Sequence, residues 1–130
     1  MEILGFDHVS IRVADLERTR DFYTRVIGLT VGPRPALPFE GYWFYCGAKP
    51  VIHTLAPDYS QGAGAGSDSG NFDHVSFSIP DFDAARLHLR GLGVPFEEQY
   101  LENVGIGVIF IKDPNNVTVE LNYRDRSKAQ

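Results

Sequence analysis

Residues 6 to 13 alternate in polarity, with Val9, Ile11 and Val13 on one face and Phe6, His8, Ser10 and Arg12 on the other. That period of two is the pattern of a half-buried strand. Asp15 stands where a helix N-cap is wanted, ahead of an apolar stripe through Leu16, Phe22, Tyr23, Val26 and Ile27 that stops at Gly28. A helix is therefore expected to cover the Val/Ile face. Short strand candidates follow at 29–34, 41–46 and 50–55, punctuated by Gly32-Pro33, Pro35, Pro38 and Gly47. The same rhythm returns later. A strand pattern at 72–79 leads to Asp81 as a second N-cap, a stripe through Phe82, Ala85, Leu89 and Leu92, glycines at 91 and 93, and strands near 95–100, 105–112 and 117–122. Each half reads βαβββ.

The halves are copies of one plan. Phe6-Asp7-His8-Val9-Ser10 recurs letter for letter as Phe72-Asp73-His74-Val75-Ser76. At residue usages of ~6% such a match arises by chance in roughly one chain in a hundred. Asp15 and Arg20 are matched by Asp81 and Arg86. The expected organisation is one domain over residues 1–130, made of a first module at about 5–56, a Gly-rich linker at about 57–70 and a second module at about 71–124. The polar tail from Arg124 to Gln130 is expected to fray.

The duplication directs attention to four side chains. His8 and His74 hold the same place in their copies, on the side of the first strand turned away from the helix. His53 follows His8 by 45 positions and Glu120 follows His74 by 46, so the last strand of each module offers His53 in one copy and Glu120 in the other. If a pseudo-twofold axis relates the modules, His8, His53, His74 and Glu120 converge on one point. Three imidazoles and a carboxylate suit Zn²⁺, Ni²⁺, Co²⁺, Mn²⁺ or Fe²⁺. Taken singly, a strand histidine is more often a hydrogen-bonded structural residue; it is the symmetry that lifts the metal reading. Glu120, between Val119 and Leu121, also needs a partner to be buried at acceptable cost. His53 is either a ligand or an acid/base beside the metal, and His88, inside the second helix with no counterpart, reads as surface.

Composition narrows the partners. Apolar residues make up 43% of the 130 and charged residues 22%, which predicts a packed globule. The net charge of −5 and the absence of a Lys/Arg cluster argue against nucleic acid. No basic leader or long apolar run opens the chain, so a cytoplasmic protein with a small-molecule substrate and no membrane role is expected. Cys46, the single cysteine, sits in an aromatic run and is expected to be a buried strand thiol in a reducing compartment.

Paired βαβββ modules, a histidine in each first strand, DLERTRDFYTRVIGL at 15–29 and IKDPNNVTVEL at 111–121 closely resemble the vicinal oxygen chelate superfamily. It comprises glyoxalase I, methylmalonyl-CoA epimerase, extradiol dioxygenases, fosfomycin-resistance thiol transferases and metal-free bleomycin-binding proteins. The resemblance implies an α+β fold in which the paired modules form a curved mixed sheet around a metal cleft. It further implies His8, His74 and Glu120 as metal ligands, with His53 at the fourth-strand position where bacterial glyoxalase I usually has glutamate and the epimerase glutamine. The expected function is a divalent-metal-dependent lyase or isomerase of the glyoxalase type. Its substrate would chelate through two neighbouring oxygens, pass through an enediolate-like intermediate and exchange a proton with Glu120 or His53. The alternatives are an Fe²⁺ extradiol dioxygenase, with His8, His74 and Glu120 as its facial triad and Tyr100 or Tyr123 steadying the substrate, and a ligand-sequestering resistance protein of the bleomycin-binding type. A homodimer is expected, with the modules pairing within one chain or between chains.

Overall fold

The computed structural model describes residues 1–56 and 72–128; the expected linker lies outside the described residues. The fold is α+β, with one four-stranded mixed sheet in each of two units, Met1–Ser67 and Asp68–Gln130.

The first unit runs β1 (Val9–Arg12), α1 (Leu16–Asp21), a π-helical turn (Phe22–Val26), β2 (Thr30–Gly32), β3 (Trp43–Cys46) and β4 (Lys49–Leu55). Its sheet order is β1-β4-β3-β2, with β1 parallel to β4 and the other pairs antiparallel. Asp15 caps α1 as expected, its carboxylate accepting from the Arg18 backbone N–H at 3.0 Å. The single expected helix instead widens into the π-turn, where the Ile27 N–H donates to the Phe22 carbonyl at 3.0 Å. The wider turn lets Phe22, Tyr23 and Val26 all enter the core, with Tyr23 fully buried and its ring 5.3 Å from that of Phe44 on β3. Phe44 and Ile52 are fully buried on the same side of the sheet as Ile11 and Val13.

The second unit repeats the order as β5 (His74–Ile79), α2 (Phe82–Gly91), β6 (Glu97–Leu101), β7 (Ile106–Lys112) and β8 (Thr118–Arg124), then a 3₁₀ turn (Arg126–Lys128). Its sheet order, β5-β8-β7-β6, is the first unit's order over again. Asp81 caps α2 through the Ala84 N–H at 2.9 Å. Leu89, Ile109 and Val119 are fully buried in its core. The β7–β8 turn is organised by buried Asp113, whose Oδ1 accepts from the Asn115 N–H at 2.7 Å and the Val117 N–H at 2.8 Å, with Asn116 in the left-handed region at φ 63°. That turn fixes the register of β8, and so the position of Glu120.

Two expectations are corrected. Cys46 is exposed at the end of β3. The tail holds on through residue 128, because the Asp125 N–H donates to the Gly105 carbonyl at 2.7 Å and Lys128 Nζ to the Glu102 carbonyl at 3.0 Å. No helix among the described residues is long and apolar enough to cross a membrane.

Candidate functional site

In the first unit β1 and β4 lie side by side with Ser10 opposite His53, and in the second β5 and β8 place Ser76 opposite Glu120. The register therefore puts His53 and Glu120 at equivalent points of the two sheets, as the repeat spacing implied. Each unit brings two of the four expected residues together. In the first, the His8 and His53 rings stack at 3.8 Å between centroids, 14° from parallel. In the second, His74 Nε2 lies 3.9 Å from Glu120 Oε2. Among the described residues no group of three or more His, Cys, Asp or Glu side chains is gathered as a metal site.

The histidines share a further feature. His8 Nδ1 lies 2.5 Å from Asp7 Oδ2, and His74 Nδ1 lies 2.7 Å from Asp73 Oδ2. An ionised carboxylate only accepts, so Nδ1 is the donor in each contact and Nε2 is the nitrogen a neutral ring can offer to a cation. The contact with His8 also holds the Asp7 carboxyl below the usual carboxylate range. His53 Nε2 is buried with no hydrogen-bond partner among the described residues. Orientation of a ligating imidazole through its second nitrogen is the usual support for a metal-binding histidine.

His53 is held from both sides. The Trp43 ring stacks on it at 3.9 Å and 7°, and His8 covers the other face. Burial first, and the neighbouring His8 second, push the His53 pKa below the usual imidazole value. The ring is accordingly neutral near pH 7. Glu120 is largely buried at 12% side-chain exposure and accepts from Ser76 Oγ at 2.5 Å, which supplies the partner its apolar neighbours demand. Phe110 meets the His74 ring edge-on at 6.1 Å.

Asp7, Asp73 and Ser76 are contributors that the sequence reading passed over. The signal for both aspartates and for Ser76 was in hand, since all three lie inside the duplicated pentapeptide. Tyr100 and Tyr123 are placed elsewhere than expected. Both pair with Gly107, on the opposite face of the second sheet from Glu120, whose partner on β7 is Phe110. They cannot steady a substrate beside Glu120. His88 is exposed, as expected.

The donor set fits a divalent cation. Neutral imidazole nitrogens and a carboxylate are available, and buried His53 Nε2 is left without a partner by the protein itself.

The family model described as the Glyoxalase/Bleomycin resistance protein/Dioxygenase superfamily matches residues 5–121. A lactoylglutathione lyase of Pseudomonas putida is 28% identical, over 89% of this chain and 83% of its own length. A lactoylglutathione lyase of Arabidopsis thaliana is 32% identical over 92% of this chain, which spans 44% of that longer protein. Among solved structures, a lactoylglutathione lyase from Agrobacterium tumefaciens matches with a TM-score of 0.71 at 22% identity, covering 95% of this chain and 96% of its own. A genomically encoded fosfomycin resistance protein from Listeria monocytogenes matches with a TM-score of 0.75 at 18% identity, covering 99% of this chain and all of its own. The two structural likenesses bear on the fold. By its match to the family model over nearly its whole length, the chain belongs to the Glyoxalase/Bleomycin resistance protein/Dioxygenase superfamily.

Proposed function

We propose that this chain is a divalent-metal-dependent lyase or isomerase of the glyoxalase type, with His8, His53, His74 and Glu120 as the ligand set of one ion. The observation that carries the proposal is the disposition of the three histidines: His8 and His74 have Nδ1 committed to the carboxylates of Asp7 and Asp73, and buried His53 Nε2 has no partner among the described residues. When bound, such an ion polarises a substrate carbonyl and makes an adjacent C–H more acidic.

The residues then divide the remaining work. Asp7 and Asp73 orient the His8 and His74 rings through Nδ1. Trp43 and His8 fix the plane of His53 and keep water from its faces. Glu120, steadied by Ser76, is the base that takes a proton from a carbon beside a carbonyl and returns it to the neighbouring carbon. His53 is neutral near pH 7 and has Nε2 free, so it serves as a second proton acceptor wherever it is not ligating. The substrate class is a small molecule with two adjacent oxygens, such as a 2-hydroxyacyl thioester; the relatives named lactoylglutathione lyase make S-lactoylglutathione the first compound to try. A homodimer is the assembly proposed with it.

The test is turnover of 2-hydroxyacyl and 2-oxo compounds, S-lactoylglutathione among them, by chelator-treated protein before and after Zn²⁺, Ni²⁺, Co²⁺ or Mn²⁺ is added. Activity that appears only with metal and vanishes in Glu120→Gln is expected. Protein that binds metal yet turns over none of the panel overturns the assignment.

A further inference from the structure

On the face of the second sheet away from Glu120, the start of α2 and the ends of β6 and β8 border an open cavity of about 640 Å³. Its apolar lining is three aromatic rings and Pro80. Phe82 lies 5.5 Å from Tyr100 and 6.3 Å from Tyr123, and the two tyrosines are 6.5 Å apart. The rings sit low against the sheet because Gly107 beneath them has no side chain; a Cβ there would stand 2.6 Å from Phe82 Cδ2 and 3.0 Å from Tyr100 Cδ2. The polar lining is one-sided. Asp81, Asp83, Glu98 and Glu102 line the cavity beside one guanidinium, that of Arg86, while Arg90 lies 4.0 Å from Glu98 and Lys128 3.8 Å from Glu102. Arg86 is itself occupied, paired with Glu98 at 2.6 Å and Asp83 at 3.0 Å. Its Cζ lies 5.7 Å from the Phe82 centroid, which shows that a cation is accommodated against these rings. Burial and then nearby Asp125 push both tyrosine pKa values up, so the surroundings resist added negative charge.

We propose that this cavity is a second ligand site, separate from the histidine and Glu120 pairs, and that it takes a small organic cation of the alkylammonium class. The chemistry follows from the lining. Aromatic rings attract a diffuse cation through their quadrupoles, best when it carries methyl groups rather than a tight water shell. Four carboxylates against the three cations Arg86, Arg90 and Lys128 leave an excess of one negative charge, which favours positive charge over a neutral molecule of the same shape. A bare metal ion does not fit, because the carboxylates are not gathered as a ligand group. The volume lies within the range of small-molecule sites.

The experiment uses the full chain and an isosteric pair, choline and 3,3-dimethyl-1-butanol, in which carbon replaces the charged nitrogen. Backbone amide shifts of Tyr100, Gly107 and Tyr123 are followed as each is titrated. Choline is expected to saturate with a Kd on the order of 1 mM, from the usual affinity per heavy atom of small ligands. The neutral isostere should bind about tenfold more weakly. Tyr123→Phe, which keeps the ring, should retain choline binding, and Tyr123→Leu should weaken it about tenfold; if Tyr123→Leu does not fold, Glu102→Gln on the exposed rim supplies the second variant and should weaken choline but not the isostere. Equal binding of the two probes, or no saturable shift from choline, overturns the proposal.

Discussion

Replacing Asp7 or Asp73 separates a ligand-orienting role from a structural one. Asparagine keeps an acceptor for the ring N–H and removes the charge, whereas alanine removes both. The aspartates are 88% and 90% exposed and their partners are 34% and 36% exposed, so the pairs add little to folding. Melting temperatures should stay at the wild-type value. Metal affinity should not, because loss of a hydrogen-bond partner to a ligating histidine commonly costs 10- to 100-fold. The exposure of these carboxylates places the effect at the low end, about tenfold for Asp7→Ala and for Asp73→Ala and less for the asparagine variants. The assay is built in. Trp43 is the single tryptophan and stacks on His53, so Ni²⁺ arriving at that ring should quench its emission, and the titration midpoint gives the affinity. Wild-type affinity in both alanine variants would refute the orienting role.

Other consequences follow from the same geometry. His53 is pushed below the unfolded imidazole value of about 6.5, so the folded chain binds fewer protons there than the unfolded one; metal-free protein should be fully stabilised by this group above about pH 6.5 and lose that contribution as pH falls through the lower folded value, a slope in urea midpoints that His53→Gln should flatten. A Cβ on Gly41 would stand 2.0 Å from the Thr54 carbonyl oxygen, a backbone atom beside His53 that cannot turn aside. Gly41→Ala should therefore disrupt the bonds between Tyr42 and Thr54 and cost about 1–3 kcal/mol in urea unfolding. Asp113→Ala leaves the Asn115 and Val117 N–H groups unmatched in the β7–β8 turn; a loss of about 1–3 kcal/mol is expected, with amide shifts spreading along β8 toward Glu120.

Much of this was legible because the sequence states it twice. The duplicated pentapeptide located both first strands, and spacings to His53 and Glu120 that differ by one residue anticipated the register that pairs Ser10 with His53 and Ser76 with Glu120. N-caps at Asp15 and Asp81 were readable because a carboxylate before an apolar stripe has a local job. The π-turn was not readable. Adjacent Phe22 and Tyr23 fit a regular stripe as written, and only competition for the core widens the turn. The placement of Tyr123 was available by parity, since residues three apart on a strand face opposite ways, but the pull of a nearby metal site obscured it. Asp7 and Asp73 were marked by the duplication, but their role lies in a contact with the next side chain, which no periodicity reports. Cys46 took its expected burial from aromatic neighbours, yet it falls at the strand end where the sheet stops covering it.

The central claim is that both histidine-bearing pairs serve one ion. Equilibrium dialysis against Ni²⁺ or Zn²⁺, with metal counted per chain for wild type, His8→Ala and His74→Ala, addresses it directly. One tightly held ion per chain, lost in either variant, is the predicted result. Two ions per chain, each removed by only one of the substitutions, or wild-type metal content in both variants, would contradict it.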